Sequence, residues 1–361
     1  IIKGLDLREG LLDKEFETVK AQFQAKAGKD YAASRGEYLN GIIMANYLGF
    51  NFIDSAEVIF FDENGNFNAT LTNEVLSERL SGLENAVVPG FYGAYADGRV
   101  KTFSRGGSDV TGSIVAKAVK ADVYENWTDV SGFLIADPRI IPNPEAIEVI
   151  TYRELRELAY MGAGVLHEDA IFPVRQEGIP INIKNTNKPE DQGTWIVGST
   201  CQKSKYTITG IAGKKGFCSI NIEKDMMNTE VGFGRKVLQS FEENGISFEH
   251  MPSGIDTMSI TVDSAKLEPV REKVLAEIRR EVNPDHLEIE DNIAILAVVG
   301  RRMKNTRGTV ARVFAAMAHA RINVKLIDQG SSELNVIIGV SESDLPEAIR
   351  RIYDMFINSE K

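Results

Sequence analysis

The run Phe103-Ser104-Arg105-Gly106-Gly107-Ser108-Asp109-Val110-Thr111 is the stretch of the 361-residue sequence best suited to hold an anion. A glycine pair lets the backbone approach a ligand closely. Ser108 or Asp109 can cap a helix that follows, and the free N–H groups of that helix's first turn, aided by its dipole, favour negative charge. Arg105 adds a planar fork that matches a carboxylate or a phosphate. A capped helix after a flexible turn would account for the glycines and Ser108, but not for the arginine beside them. Neither common phosphate loop is present: no G-x-x-x-x-G-K-[ST] and no G-x-G-x-x-G occurs in the sequence.

A second group is Asn126-Trp127-Thr128-Asp129-Val130-Ser131-Gly132, continuing to Ala136-Asp137-Pro138-Arg139. It follows a strand-like apolar stretch, so Thr128 and Asp129 fall at a strand's carboxyl end, where open α/β sheets bind ligands. Asp129 can accept from a ribose hydroxyl or hold an Mg2+-bound water, and Arg139 can meet a phosphate. The competing reading is a loop ion pair between Asp137 and Arg139. In a third group, Ala33-Ser34-Arg35-Gly36-Glu37, Ser34 and Glu37 have capping-box spacing; the alternative for Glu37 is a carboxylate that grips a substrate ammonium. His167 follows Met161-Gly162-Ala163-Gly164-Val165-Leu166 and reads as a lone structural hydrogen-bonder. The 4 scattered histidines give no Ser-His-Asp order.

The elements that must position these groups alternate between residues 31 and 198. Strands are expected at 56–61, 86–91, 122–127 and 179–184, and helices at 38–47, 73–81, 109–119 and 152–161. Glu63-Asn64-Gly65 and Asp97-Gly98 read as hairpin turns. The alternation predicts a layered α/β domain with a mostly parallel sheet. Ahead of it, Leu11, Leu12, Phe16, Val19 and Phe23 recur near helical spacing. Residues 185–192 read as a boundary loop and 199–205 as the linker to the C-terminal half. There the sequence repeats: at an offset of 76, residues 234–262 lie on 310–338 without a gap. Val237 meets Val313, Phe241 meets Met317, Ile246 meets Ile322 and Ile260 meets Val336. Each copy reads β-α-β-β-α, ferredoxin-like once a final strand is added. Candidates for the final strands are residues 286–289 and 206–212.

Composition narrows the partners. Lys and Arg total 41 against 52 Asp and Glu, a net charge of −11, so a nucleic-acid or anionic-membrane partner is not expected. With 43% hydrophobic residues the chain can bury a sizeable core. No apolar run nears the ~18 residues that cross a bilayer, and no secretory signal is read at the start. Cys201 and Cys218 form neither a zinc nor a disulfide pattern and read as small, partly buried hydrophobes, which points to a cytoplasmic protein.

In order and spacing, Ser34-Arg35-Gly36-Glu37, residues 103–111, residues 127–139 and residues 162–167 resemble the aspartate kinases, and the duplicated tail resembles their paired ACT regulatory domains. The resemblance implies a three-layer α/β/α amino-acid-kinase sandwich over residues 1–198. It implies a linker and early strand of the second ACT unit at 199–213, and ferredoxin-like βαββαβ ACT domains at 214–290 and 291–361, one inserted within the other. It implies transfer of the γ-phosphoryl of MgATP to the side-chain carboxylate of L-aspartate, the first step toward lysine, threonine and methionine. Carried over, Arg105 holds the aspartate α-carboxylate and Glu37 its ammonium, with Gly106, Ser108 and Asp109 lining the pocket. Arg105 and Asp109 are the catalytic pair. Thr128, Asp129 and Arg139 bind ATP, Leu134 lies near the base, and Gly164 and Val165 are nucleotide contacts, although several relatives carry a lysine at the position of Gly164. The family opens with a strand bearing K-x-G-G-[TS]-S, absent from these 361 residues. Lys3-Gly4-Leu5 does not replace it, so a chain cut short at its start, and a poor catalyst taken literally, is expected.

Linked ACT units imply feedback by an end-product amino acid, with lysine favoured over threonine, and a homodimer or dimer of dimers. Asp225, Glu230 and Glu249, with Gly232, Phe233 and Phe248, are the effector candidates; acidic groups suit the ammonium of lysine. Lys325 stands where the second unit would repeat Glu249, so the two sites differ. Solvated rim charges are the plainer reading of the same residues. Two other functions compete: another carboxylate kinase of this superfamily, and a non-catalytic amino-acid sensor.

Overall fold

The computed structural model describes residues 1–104, 106–162, 168–200 and 204–360, the side chains of 168–170 excepted. The chain divides into two compact units. The first comprises Ile1–Phe133, Glu148–Tyr152 and Val165–Thr200, the second Leu134–Ile147, Arg153–Gly164 and Cys201–Lys361.

In the first unit, α1 (Asp13–Gln24) and α2 (Lys29–Leu48) precede β1 (Asn51–Phe52), α3 (Ser55–Val58), β2 (Phe60–Phe61), α4 (Ala69–Leu80) and β3 (Ala86–Val87). Next come β4 (Tyr92–Tyr95), β5 (Val100–Thr102), α5 (Gly107–Ala118), β6 (Tyr124–Thr128) and β7 (Val149–Thr151). After α6 (Tyr152–Tyr160) follow α7 (Glu168–Glu177), β8 (Ile181–Asn185) and β9 (Thr194–Val197). Pairing is mostly parallel: β1 with β3, β2 with β4, β6 with β8 and β7 with β9; β4–β5 and β8–β9 are antiparallel. Ile53, Ile59, Leu76, Tyr92, Ile150, Ile181, Ile183 and Ile196 are fully buried among these layers.

Several local expectations are corrected. Residues 56–61 do not form one strand, because the Asp54 side chain accepts from the Ala56 N–H and starts α3 instead. Strand 86–91 shrinks to β3. Ser34 caps nothing: α2 begins five residues earlier, at Lys29, and Ser34 Oγ donates to the Tyr31 carbonyl at 2.8 Å inside that helix. Of the N-terminal apolar stripe, Leu12 and Val19 are buried, but Phe16 and Phe23 are 53% and 51% exposed. The Asp97-Gly98 hairpin is present between β4 and β5, with Gly98 N–H donating to Tyr95 O at 2.9 Å.

In the second unit, β10 (Gly210–Glu223), α8 (Phe233–Glu242), β11 (Phe248–His250), β12 (Thr257–Asp263), α9 (Ser264–Leu267) and α10 (Arg271–Val282) are followed by β13 (His286–Val299). The unit continues with α11 (Thr309–His319), β14 (Leu326–Asp328), β15 (Asn335–Ser341) and α12 (Leu345–Tyr353). One sheet runs β11-β12-β10-β13-β15-β14. Two long strands serve both repeats. Residues 286–289 pair with 223–220 and complete the first copy, while 210–214 pair with 299–295 and complete the second. The expected strand at 206–212 therefore starts at Gly210. Bulges between Lys214 and Ser219 mark the passage from one copy to the other. The repeat is visible in detail: α8 and α11 both start after a glycine in the left-handed region, Gly232 at φ 83° and Gly308 at φ 81°. Val237 and Val313 are both fully buried.

Candidate functional site

α5 starts at Gly107, two residues ahead of the expected 109. Gly106 stands before it at φ 59°, a conformation that disfavours a Cβ. Gly107 is needed for a different reason: a Cβ there would lie 2.8 Å from Phe91 Cα and 2.9 Å from Phe103 Cβ. No described side chain caps the helix, so the expected capping by Ser108 or Asp109 is corrected: both lie within the first turn. Ser108 is exposed. Asp109 is turned toward β6, where Asn126 Nδ2 donates to its Oδ1 at 2.9 Å. The same Nδ2 donates to the Tyr124 hydroxyl at 2.9 Å, and that hydroxyl donates to the Asp109 carbonyl at 3.2 Å. Burial pushes the Tyr124 hydroxyl up to about 12, so it stays a donor. Thr111 fastens the next turn, donating to Gly107 O and accepting from the Phe91 N–H. The first-turn amides of α5 are thus held in place by both flanking elements.

At the end of β6, Thr128 Oγ1 donates to Asp129 Oδ1 at 3.3 Å, and the Thr128 carbonyl accepts from Thr186 N–H and Oγ1 at 2.8 and 2.7 Å. Asp129 is exposed. Behind it, Ser131 Oγ donates to Asp191 at 2.5 Å and accepts from Asn185 Nδ2 at 3.0 Å. Glu37 lies exposed on α2. Its neighbour Arg35 is buried, its guanidinium 4.4 Å from the ring centres of both Tyr31 and Tyr38, so that arginine is a core group. Arg105, Gly164 and Val165, like His167 and Cys201, lie outside the described residues. Cys218 is buried and unpaired.

Leu134 and Arg139 belong to the second unit. Arg139 forms the loop ion pair left open above: its Nη2 lies 2.6 Å from Asp137 Oδ2, and that bond holds the Asp137 carboxyl below the ordinary carboxylate range. Among the effector candidates, Glu230 already accepts from Lys224 and Lys236 at 2.6 and 2.8 Å, which lowers its pKa. Phe233 is buried in the core of the first repeat. Asp225 is exposed, and its N–H donates to Asp285 Oδ2 at 2.7 Å. Glu249 is half-buried, which raises its pKa, and accepts from the Tyr160 hydroxyl. Gly232 is the helix start described above, and Phe248 is 44% exposed.

Asn126 is the positioning residue that the sequence reading left without a role. Its signal was available: the two-residue period of a strand sets Tyr124, Asn126 and Thr128 on one face.

Residues 3–185 match the amino acid kinase family and residues 296–356 the ACT domain. Aspartokinase 3 of Bacillus subtilis is 39% identical over 336 residues, covering 91% of this chain and 74% of that protein. The crystal structure of Clostridium acetobutylicum aspartate kinase is similar at 53% identity and a TM-score of 0.92, over 99% of this chain and 82% of that one. Escherichia coli aspartokinase III, solved with aspartate and ADP, has the same fold at 21% identity and a TM-score of 0.72, covering 95% of this chain and 80% of that one. A kinase-like first unit, a duplicated ACT sheet and relatives matched across both halves lead to one assignment: this chain belongs to the aspartokinase family.

Proposed function

We propose that the protein of this sequence transfers the γ-phosphoryl group of MgATP to the side-chain carboxylate of L-aspartate, giving 4-phospho-L-aspartate. The start of α5 carries the reading. Its amides are uncapped among the described residues, Gly107 brings them against Phe91 and Phe103, and Asn126 turns the Asp109 carboxylate aside from them. Phosphoryl transfer asks for little covalent work from a protein; it asks that two mutually repelling anions be aligned and their charge offset. Fixed amides with a helix dipole behind them do this without reorganising.

In this reading Arg105, Gly106 and Ser108 hold the aspartate carboxylate, Glu37 the ammonium, and Asp109 acts from the first turn. Thr128 and Asp129 meet the nucleotide at the end of β6. For Leu134, Arg139, Gly164 and Val165 the proposal rests on the resemblance alone, and Arg139 must exchange Asp137 for a phosphate, a small cost for an exposed pair. Mg2+ enters with the nucleotide, and Asp129 at the end of β6 can hold one of its waters. The kinase domain is placed at 1–198, the linker at 199–213 and the ACT domains at 214–290 and 291–361. The reading includes a cytoplasmic setting, a homodimer or dimer of dimers, and feedback by lysine, or else threonine, at Glu249. Among the described residues no helix is long and apolar enough to cross a membrane. The test is hydroxamate formation by the full-length protein: product that requires both ATP and aspartate supports the reading, and turnover indifferent to aspartate refutes it.

A further inference from the structure

Within the first unit α5 packs against α7, and together with α4 they enclose an apolar cleft that the proposed reaction leaves unused. From α5 come Val110, Ile114 and Lys117, spaced at i, i+4 and i+7 and therefore on one face. Val110 and Ile114 are buried and form the floor. Phe67 and Phe103 form one wall, their ring centres 6.0 Å apart, and Phe61 packs on Phe103 at 4.9 Å. Phe172 of α7 forms another wall and is 63% exposed. This face of α5 is distinct from the one on which Asp109 meets Asn126 of β6.

Two polar groups on the lining set the chemistry. Lys117 Nζ donates to Gln176 Oε1 at 3.0 Å and lies 3.3 Å from Glu177 Oε1, so its charge is offset within the protein and an anionic ligand gains little from it. Asn73 of α4 is half-buried on the cleft, and its side-chain amide has no hydrogen bond among the described residues. It offers a ligand both a donor and an acceptor. The cleft holds about 340 Å3. An apolar cavity of about 150 Å3 takes one benzene ring, so this one has room for two fused rings. Small-molecule sites combine apolar, aromatic walls with a few placed polar groups in this way. A stable protein partner needs about 800 Å2 of surface on each side, more than the walls of such a cleft offer. We propose that the cleft is a binding site for an uncharged, planar molecule of two fused aromatic rings bearing one N–H group. The rings lie against Phe103 and Phe172, and the N–H donates to Asn73 Oδ1. Aromatic walls select rings over alkyl chains of equal size, because ring quadrupoles attract in offset and edge-to-face geometry. The site is independent of the phosphoryl-transfer reading.

The probes are 5-fluoroindole and 1-fluoronaphthalene, titrated into the full-length protein and followed by fluorine NMR. 5-Fluoroindole should bind saturably, one molecule per chain. Phe172→Ala removes a largely exposed wall and should weaken both probes by about 3- to 10-fold. Asn73→Leu should weaken 5-fluoroindole by about 3- to 10-fold, the loss of one neutral hydrogen bond, and leave 1-fluoronaphthalene within about 2-fold. Ala69 lines the cleft from the exposed start of α4, so Ala69→Phe puts a ring into it and should abolish binding of both probes. Phe172 and Ala69 are solvent-facing positions, and a Tm near that of the wild type should accompany both changes. No saturable uptake, or uptake unchanged in both Phe172→Ala and Ala69→Phe, would overturn the inference. Uptake that falls as protein concentration rises would place a second copy of the chain in the cleft and would also overturn it. Equal losses of the two probes in Asn73→Leu would overturn the N–H assignment. Turnover indifferent to aspartate would instead refute the phosphoryl-transfer reading, and these binding measurements would still decide the role of the cleft.

Discussion

Gly107→Ala separates two accounts of the glycine pair. If Gly107 is there for chain freedom, alanine should be tolerated and should even favour the helix, by up to about 1 kcal/mol on intrinsic propensity. The structure requires the opposite. The new methyl would lie 2.8 Å from both Cα and Cβ of Phe91 and 2.9 Å from Phe103 Cβ. Ordinary carbon contacts begin near 3.5 Å, so the helix start must retreat by roughly 0.7 Å. Its neighbours are main chain and first side-chain carbons, which no rotamer change can move. Overpacking of this kind costs about 1–3 kcal/mol, which outweighs the propensity gain. The retreat also moves the Ser108 and Asp109 amides and strains the Asp109–Asn126 bond. Misplacement on the ångström scale can cost on the order of 100-fold in rate, so a displacement of this size should lower kcat/KM for aspartate by about 10-fold or more. The assay is hydroxamate kinetics with a thermal melt on the same full-length preparation. A variant with wild-type aspartate kinetics and an unchanged or higher Tm would refute the close-approach argument.

Two further expectations concern the second unit. Arg301→Met should destabilise it by about 3–5 kcal/mol, because the fully buried Glu154 carboxylate would lose the Arg301 guanidinium 3.0 Å away; adding Glu154→Met should restore most of that loss, and a double variant no better than the single one in urea unfolding would contradict the pairing. Glu230 is held ionised below the ordinary carboxylate range by bonds from Lys224 and Lys236. A depressed carboxylate pKa contributes stability above the unfolded-state value, and that stability is lost as pH falls through the folded-state value. Glu230→Gln should therefore lower the Tm near neutrality and converge with the wild type in strong acid, and a gap that persists in acid would speak against this assignment.

What the sequence determined is what is written within a short window or repeated at a fixed distance. The anion-holding run announced a helix at 109, two residues after its actual start at Gly107, because a glycine pair followed by small polar residues and an apolar period is a local instruction. The offset of 76 located two ACT copies because duplicated periodicity needs no knowledge of the fold, and the structure extends the equivalence beyond the aligned residues to Gly232 and Gly308. Capping roles failed where several local choices were equally good: Ser34 sits five residues inside α2, and Asp54 recruited Ser55–Val58 into a helix from an apolar run that also suits a strand. Only tertiary structure decided that Asn126 reaches Asp109 from the next strand, that β10 and β13 each serve both ACT copies, and that α6 leaves the kinase unit for the ACT sheet. Those are pairings between residues far apart in the chain. They are selected by register, by the burial of Glu154 against Arg301 and by the shape of facing surfaces, none of which any single window of sequence contains.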